Sequence, residues 1–206
     1  GTTGYGFTTY VLVQNPNPGP ATVTLSYMTK SGARPQPAMT LPANSRKTVR
    51  VNDVAGMQDQ DFSTKVTGSL PIIAERAMYW GEGTPLGEAC HASVGMQEAH
   101  SAFYLPDGET SGGYETWTCV QNPNPDPVKI EVVYFESGGT KRVTPMPDTV
   151  PGNSRKTYNM ADKIPSGKAA ILVRAVTPGV RIMVERSMYW NSRGAGTNTI
   201  GGFSDR

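Results

Sequence analysis

Apolar and polar residues alternate along most of this chain with a period of two, and turn residues interrupt the alternation every few positions. Residues 21–29 read Ala-Thr-Val-Thr-Leu-Ser-Tyr-Met-Thr, which puts Val23, Leu25 and Tyr27 on one side and Thr and Ser on the other. That spacing predicts a strand with one buried face. Residues 7–14, rich in Thr, Tyr and Val, predict another, stopped by Asn15-Pro16-Asn17-Pro18-Gly19-Pro20. Proline has no backbone donor and holds the residue before it extended, so neither ladder nor helix continues through this run. Further strands are predicted at 38–41, 48–51, 62–67, 71–80 and 92–97, with a hairpin turn at Lys30-Ser31-Gly32. No segment keeps a helical period over three turns. Asp53 and Asp162 are placed to cap short helical turns.

The pattern is stated twice. Val13-Gln14-Asn15-Pro16-Asn17-Pro18 returns at Val120 to Pro125, Asn44-Ser45-Arg46-Lys47-Thr48 at Asn153 to Thr157, and Glu75-Arg76-Ala77-Met78-Tyr79-Trp80 at Glu185 to Trp190. Three blocks in one order mean two copies of one module. The expected division is residues 1–99 and 100–206. About seven short strands per copy, punctuated by turns, predict an all-β protein of two tandem immunoglobulin-like β-sandwiches. The second hairpin is expected at Glu136-Ser137-Gly138-Gly139. Copy two also has a short apolar lead-in strand, Ala102-Phe103-Tyr104-Leu105, ahead of Gly108, whereas copy one starts where Gly108 falls. The chain thus reads as an excised piece of a longer array, or as a module whose missing strand is donated by edge addition.

Composition narrows the function classes. The 23 Gly and 17 Pro suit short strands and tight turns. A net charge of +2 with scattered Lys and Arg supplies no basic stripe for nucleic acid. No apolar run reaches the length of a helical membrane span, so no membrane insertion is expected. No nucleophile elbow, zinc-protease motif or phosphate loop is present, and neither His91 nor His100 recurs in the other copy. No catalytic residue, metal or cofactor is expected. Asp59-Gln60-Asp61 is too short a fragment for a calcium loop.

The remaining candidates are structural or adhesive. On a strand, Glu75, Ala77 and Tyr79 share one face while Arg76, Met78 and Trp80 share the other. Tyr79, Trp80, Tyr189 and Trp190 could form an aromatic binding surface for glycans, or pack within the module. Glu75 and Glu185 are expected to pair with Arg46 and Arg155. Cys119 stands where copy one has Leu12, a position read as core, and Cys90 lies in a Gly-rich stretch beside His91. A Cys90–Cys119 disulfide is a candidate staple. Gln14 and Gln121 are expected to hydrogen-bond within their turns, with Asn before Pro setting the turn shape.

The succession of a Gly-Thr-Thr-Gly start, Gln-Asn-Pro-Asn-Pro, Asn-Ser-Arg-Lys-Thr, Glu-Arg-Ala-Met-Tyr-Trp and His-Ala-Ser-Val-Gly resembles a tandem repeat module of large secreted or cell-surface bacterial proteins, especially of actinobacteria. The resemblance spans both copies and assigns no catalytic residues. Copy two departs from it in having Thr197-Asn198-Thr199-Ile200-Gly201 in place of His91-Ala92-Ser93-Val94-Gly95. It implies an extracellular location and a longer parent array. The expected function is a non-enzymatic stalk, spacer or surface-assembly subunit, with other copies of the module or neighbouring domains as partners. The alternative is a carbohydrate-binding or adhesion module using exposed aromatics.

Overall fold

A computed structural model describes residues 1–136 and 147–205. The chain is all-β, built of small antiparallel sheets, and divides into two compact units, Gly1–Gln97 and Glu98–Arg206. Unit one holds β1 (Thr8–Asn15), β2 (Ala21–Thr29), β3 (Gly32–Pro35), β4 (Met39–Leu41), β5 (Ser45–Arg50), β6 (Phe62–Gly68), β7 (Ile73–Trp80) and β8 (Ala89–Val94). One sheet has the order β5-β1-β7-β8; in the other, β2 pairs with β3 and β4 along one edge and with β6 along the other. Alternation decides which side chains face inward. Val11 and Val13 of β1 meet Val23, Leu25 and Tyr27 of β2 in one core cluster with Leu41, Val51, Met57 and Phe62. Fully burying each such side chain contributes roughly 1.5–3 kcal/mol.

Unit two holds β9 (Ala102–Leu105), β10 (Glu115–Asn122), β11 (Val128–Glu136), β12 (Asp148–Val150), β13 (Ser154–Asn159), β14 (Ala169–Ala175), β15 (Met183–Trp190), β16 (Ala195–Thr199) and β17 (Gly202–Ser204). Its sheets run β13-β10-β15-β16 and β12-β11-β14-β9-β17. The repeat is therefore also a repeat of pairing: β10 lies between β13 and β15 as β1 lies between β5 and β7. Tyr27 and Tyr134 are equivalent and fully buried, and burial pushes both phenols up to about 12. The hairpin expected at Glu136–Gly139 lies outside the described residues from position 137 onward.

Two local expectations need correction. The strand expected at 92–97 runs Ala89–Val94, because its ladder to β7 begins at the Trp80–Ala89 pair. Asp53 and Asp162 do not cap. They end the 3-10 turns Val51–Asp53 and Met160–Asp162; the second turn is capped by Asn159, whose side chain accepts from the Ala161 amide at 3.1 Å.

Candidate functional site

The repeated Asn-Pro-Asn-Pro block is a densely bonded polar site in each copy. Asn15 ends β1 with its side chain fully buried. Its Nδ2 donates to the carbonyls of Gly19 at 2.9 Å, Leu41 at 3.2 Å and Pro42 at 2.9 Å. Its Oδ1 accepts from the Asn17 amide at 3.1 Å and from Asn17 Nδ2 at 2.7 Å. Asn17 Nδ2 then reaches the Pro71 carbonyl at 2.7 Å. Copy two repeats this bond for bond. Asn122 Nδ2 donates to Asp126, Val150 and Pro151 carbonyls at 2.8, 3.1 and 3.0 Å, and Asn124 Nδ2 reaches the Arg181 carbonyl at 2.8 Å. Each hub ties three loops to the end of a central strand. Chain crossings of this kind leave carbonyls that no ladder can satisfy, and a side-chain amide supplies the donors.

The asparagines, not the glutamines, carry the motif: Gln14 is exposed, and Gln121 is buried on β10. Repetition of both Asn residues was the signal available in the sequence. What it could not show was which carbonyls the inward asparagine would meet.

The aromatic candidates separate by face. Trp80 is 4% exposed and packs between Phe7 and His91, with ring centres 5.2 Å from each. Tyr79, on the opposite face, is 37% exposed and meets Tyr10 edge to face at 5.8 Å. Rings at that angle form no continuous flat stacking surface. In copy two, Tyr189 is buried and Trp190 is half-buried against Tyr114, stacked at 5.7 Å. Leu12 and Cys119 also lie on the outward face of their strands, half-buried, since Val11, Val13 and Val120 take the inward positions. The expectation of a core position for Cys119 is thereby corrected.

Both thiols are free, Cys90 exposed and Cys119 half-buried, so the candidate disulfide is not formed in this structure. Arg155 is only 5% exposed and donates to Cys119 Sγ at 3.0 Å and Thr157 Oγ1 at 2.7 Å. Glu185, across the ladder from Cys119, accepts from Asn198 Nδ2 at 2.7 Å. In copy one, Arg46 is exposed, Glu75 is half-buried, and no ion pair joins them among the described residues. Among those residues, no group of three or more His, Cys, Asp and Glu could hold a metal ion, and no helix is long and apolar enough to cross a membrane.

Arg186 is buried and meets the carboxylate of Asp107 at 3.3 Å and the Asp107 carbonyl more closely. Burial lowers its pKa, and Asp107 opposes that shift. The equivalent Arg76 instead donates to His91 Nδ1 at 3.1 Å and Ser93 Oγ at 3.2 Å. His91 thus serves a copy-one bond, and Thr197 can replace it where Asp107 is available.

No protein-family model matches the chain, and no curated protein matches it. Among solved structures, it is similar to the Anabaena sensory rhodopsin transducer, with 18% identity over 45% of this chain and 91% of that one and a TM-score of 0.36. A GH2 β-galacturonidase from Eisenbergiella tayi is similar at 9% identity over 93% of this chain and 32% of that one, with a TM-score of 0.24.

A charged cluster adorns the outward face of copy two. Glu115 accepts from Arg193 Nε at 3.0 Å and Nη2 at 2.7 Å, and from Trp117 Nε1 at 3.2 Å. Arg193 closes a turn in which Asn191, Ser192 and Arg193 all hold left-handed φ of 53°, 53° and 63°. Its guanidinium lowers the Glu115 pKa, chiefly through the hydrogen bonds. A depressed carboxylate adds stability above its unfolded value, near 4.3, and loses it as pH falls through the folded value. Arg193→Met is therefore expected to cost under about 1 kcal/mol at pH 7, since the half-exposed pair is screened. Urea titrations should show that difference closing as pH falls below the carboxylate range; a pH-independent difference would assign it to packing.

Proposed function

We propose that this chain is a non-enzymatic structural module of an extracellular surface, a spacer or assembly subunit, with each copy an immunoglobulin-like β-sandwich. One observation carries the reading. The repeated Asn-Pro-Asn-Pro motif is taken up by the architecture in both copies: Asn15 with Asn17, and Asn122 with Asn124, tie the same three loops to the end of a central strand. The cores support the sandwich assignment, because in copy one the inward residues of β1 and β2 share one cluster. The partners of such a module are other copies or neighbouring domains, including by strand addition at sheet edges.

Single-molecule stretching of the chain between two handles tests this role. Two discrete unfolding steps are expected, each releasing on the order of 300 Å, as an unravelled repeat of a hundred residues would. Smooth extension without steps would remove the load-carrying role. Retention of the folded chain on a surface glycan, lost in Tyr79→Ala, would transfer the function to adhesion.

A further inference from the structure

One inward row of side chains differs in chemistry between the copies. In copy one, Val49, Val11, Arg76 and Ser93 lie side by side across β5, β1, β7 and β8. Val11 belongs to the core cluster and Val49 packs against it, while Arg76 donates to His91 and Ser93. In copy two the same row reads Tyr158, Thr118, Arg186 and Thr199 across β13, β10, β15 and β16. Hydroxyls at Tyr158 and Thr118 thus stand where copy one has two valines.

Two members of the copy-two row are provided for. The Tyr158 hydroxyl donates to Asp148 Oδ2 at 3.1 Å, and Thr199 Oγ1 accepts from the Gly201 amide at 3.0 Å. Thr118 and Arg186, neighbours on the ladder between them, are not. Thr118 is at 0% exposure and Arg186 at 5%, and among the described residues neither Thr118 Oγ1 nor Arg186 Nε has a hydrogen-bond partner. Arg186 makes both of its contacts with Asp107 through Nη1, which does nothing for Nε. A buried polar group left unmatched weakens folding, and a charged one more so. The two groups are complementary, since Nε–H only donates while a hydroxyl both accepts and donates. The Tyr27 and Tyr134 hydroxyls are also buried without partners, but they occur in both copies and so do not account for the difference.

We propose that copy two binds an ordered water molecule in its core, between Thr118 Oγ1 and Arg186 Nε. The water accepts the Nε–H and donates to the threonine oxygen. One water joins atoms roughly 4.5–5.5 Å apart, the separation of side chains on adjacent strands that do not bond directly. Buried waters are held in this way, by polar groups that the chain itself leaves unmatched. Copy one gives its arginine the side-chain acceptors His91 and Ser93; copy two gives its arginine Asp107 and this water. Val11 offers no hydroxyl, so the site belongs to copy two alone.

A crystal structure of the full chain, at a resolution that orders water, tests the site directly. A density peak within about 3.2 Å of both atoms is expected. Its absence, or a direct bond between Thr118 and Arg186, overturns the proposal. Thr118→Val installs the copy-one residue and tests the site in solution. If the hydroxyl is merely stranded, the substitution removes an unmatched group and copy two becomes more stable. If the hydroxyl holds the water, the substitution takes a partner from it and exposes the mismatch at Arg186. The folded-to-unfolded ratio of copy two should then fall about fivefold, read by hydrogen exchange in increasing urea. An unchanged or raised ratio overturns the proposal. Thr118→Ser keeps the hydroxyl and should keep the density peak, whereas a peak that survives in Thr118→Val would remove Thr118 from the site. The spacer role predicts the same two unfolding steps with or without this water, so the two readings fail separately.

Discussion

Asn15→Ala is expected to destabilise copy one by about 3 kcal/mol, and Asn122→Ala to do the same to copy two. The substitution leaves the carbonyls of Gly19, Leu41 and Pro42 without their donor and strips Asn17 of its acceptor. A buried unsatisfied group costs about 1–3 kcal/mol. The Leu41 carbonyl is buried and bears the full cost, while the two partly buried carbonyls recover some of it from water. Asn15→Asp is expected to be worse, because a carboxylate would face three carbonyl oxygens. Hydrogen exchange in increasing urea measures the effect copy by copy. A loss below about 1 kcal/mol would mean that the loops satisfy themselves without the hub.

Phe103→Ala is expected to cost about 3–5 kcal/mol, as truncation of a fully buried aromatic does when the site cannot collapse. Phe103 is at 0% exposure, in β9 between two partner strands, with His100 and Phe203 rings 6.1 and 6.0 Å away. β17 should fray first, since its ladder runs only from Gly202 to Ser204 against β9. The expected signature is early exchange of β9 and β17 amides and a lowered urea midpoint for copy two alone. Retained protection of both strands would show that Leu105 anchors β9 by itself.

These two sites differ in how far the sequence disclosed them. The strand at Ala102–Leu105 was legible as a short apolar segment, but its inward face, with Phe103 and Leu105, emerged only from the pairing with β14. For β2 the period of two sufficed: Val23, Leu25 and Tyr27, expected on one buried face, are all buried. The face of Tyr79 and Trp80 followed from the same rule, but their exposure did not. Exposure depends on the neighbouring strands, as Phe7 beside Trp80 and Tyr10 beside Tyr79 show. Cys119 was misplaced for a related reason: Leu12 is apolar, yet it occupies an outward position between two inward valines. The hub was the least legible, because its partners are carbonyls of residues 26 and 27 positions along the chain, and carbonyls leave no mark on a sequence.

The proline after each hub asparagine has a further chemical consequence. Asparagine ages in solution when the next residue's backbone nitrogen loses its proton and attacks the side-chain amide, closing a cyclic imide that opens to aspartate. The nitrogens of Pro16 and Pro123 carry no proton to lose. Asn15 and Asn122 are thereby barred from the reaction that would put a carboxylate against three carbonyls. Asn44 and Asn153 have no such protection, each being followed by serine. The two hub asparagines therefore sit where this decay cannot begin.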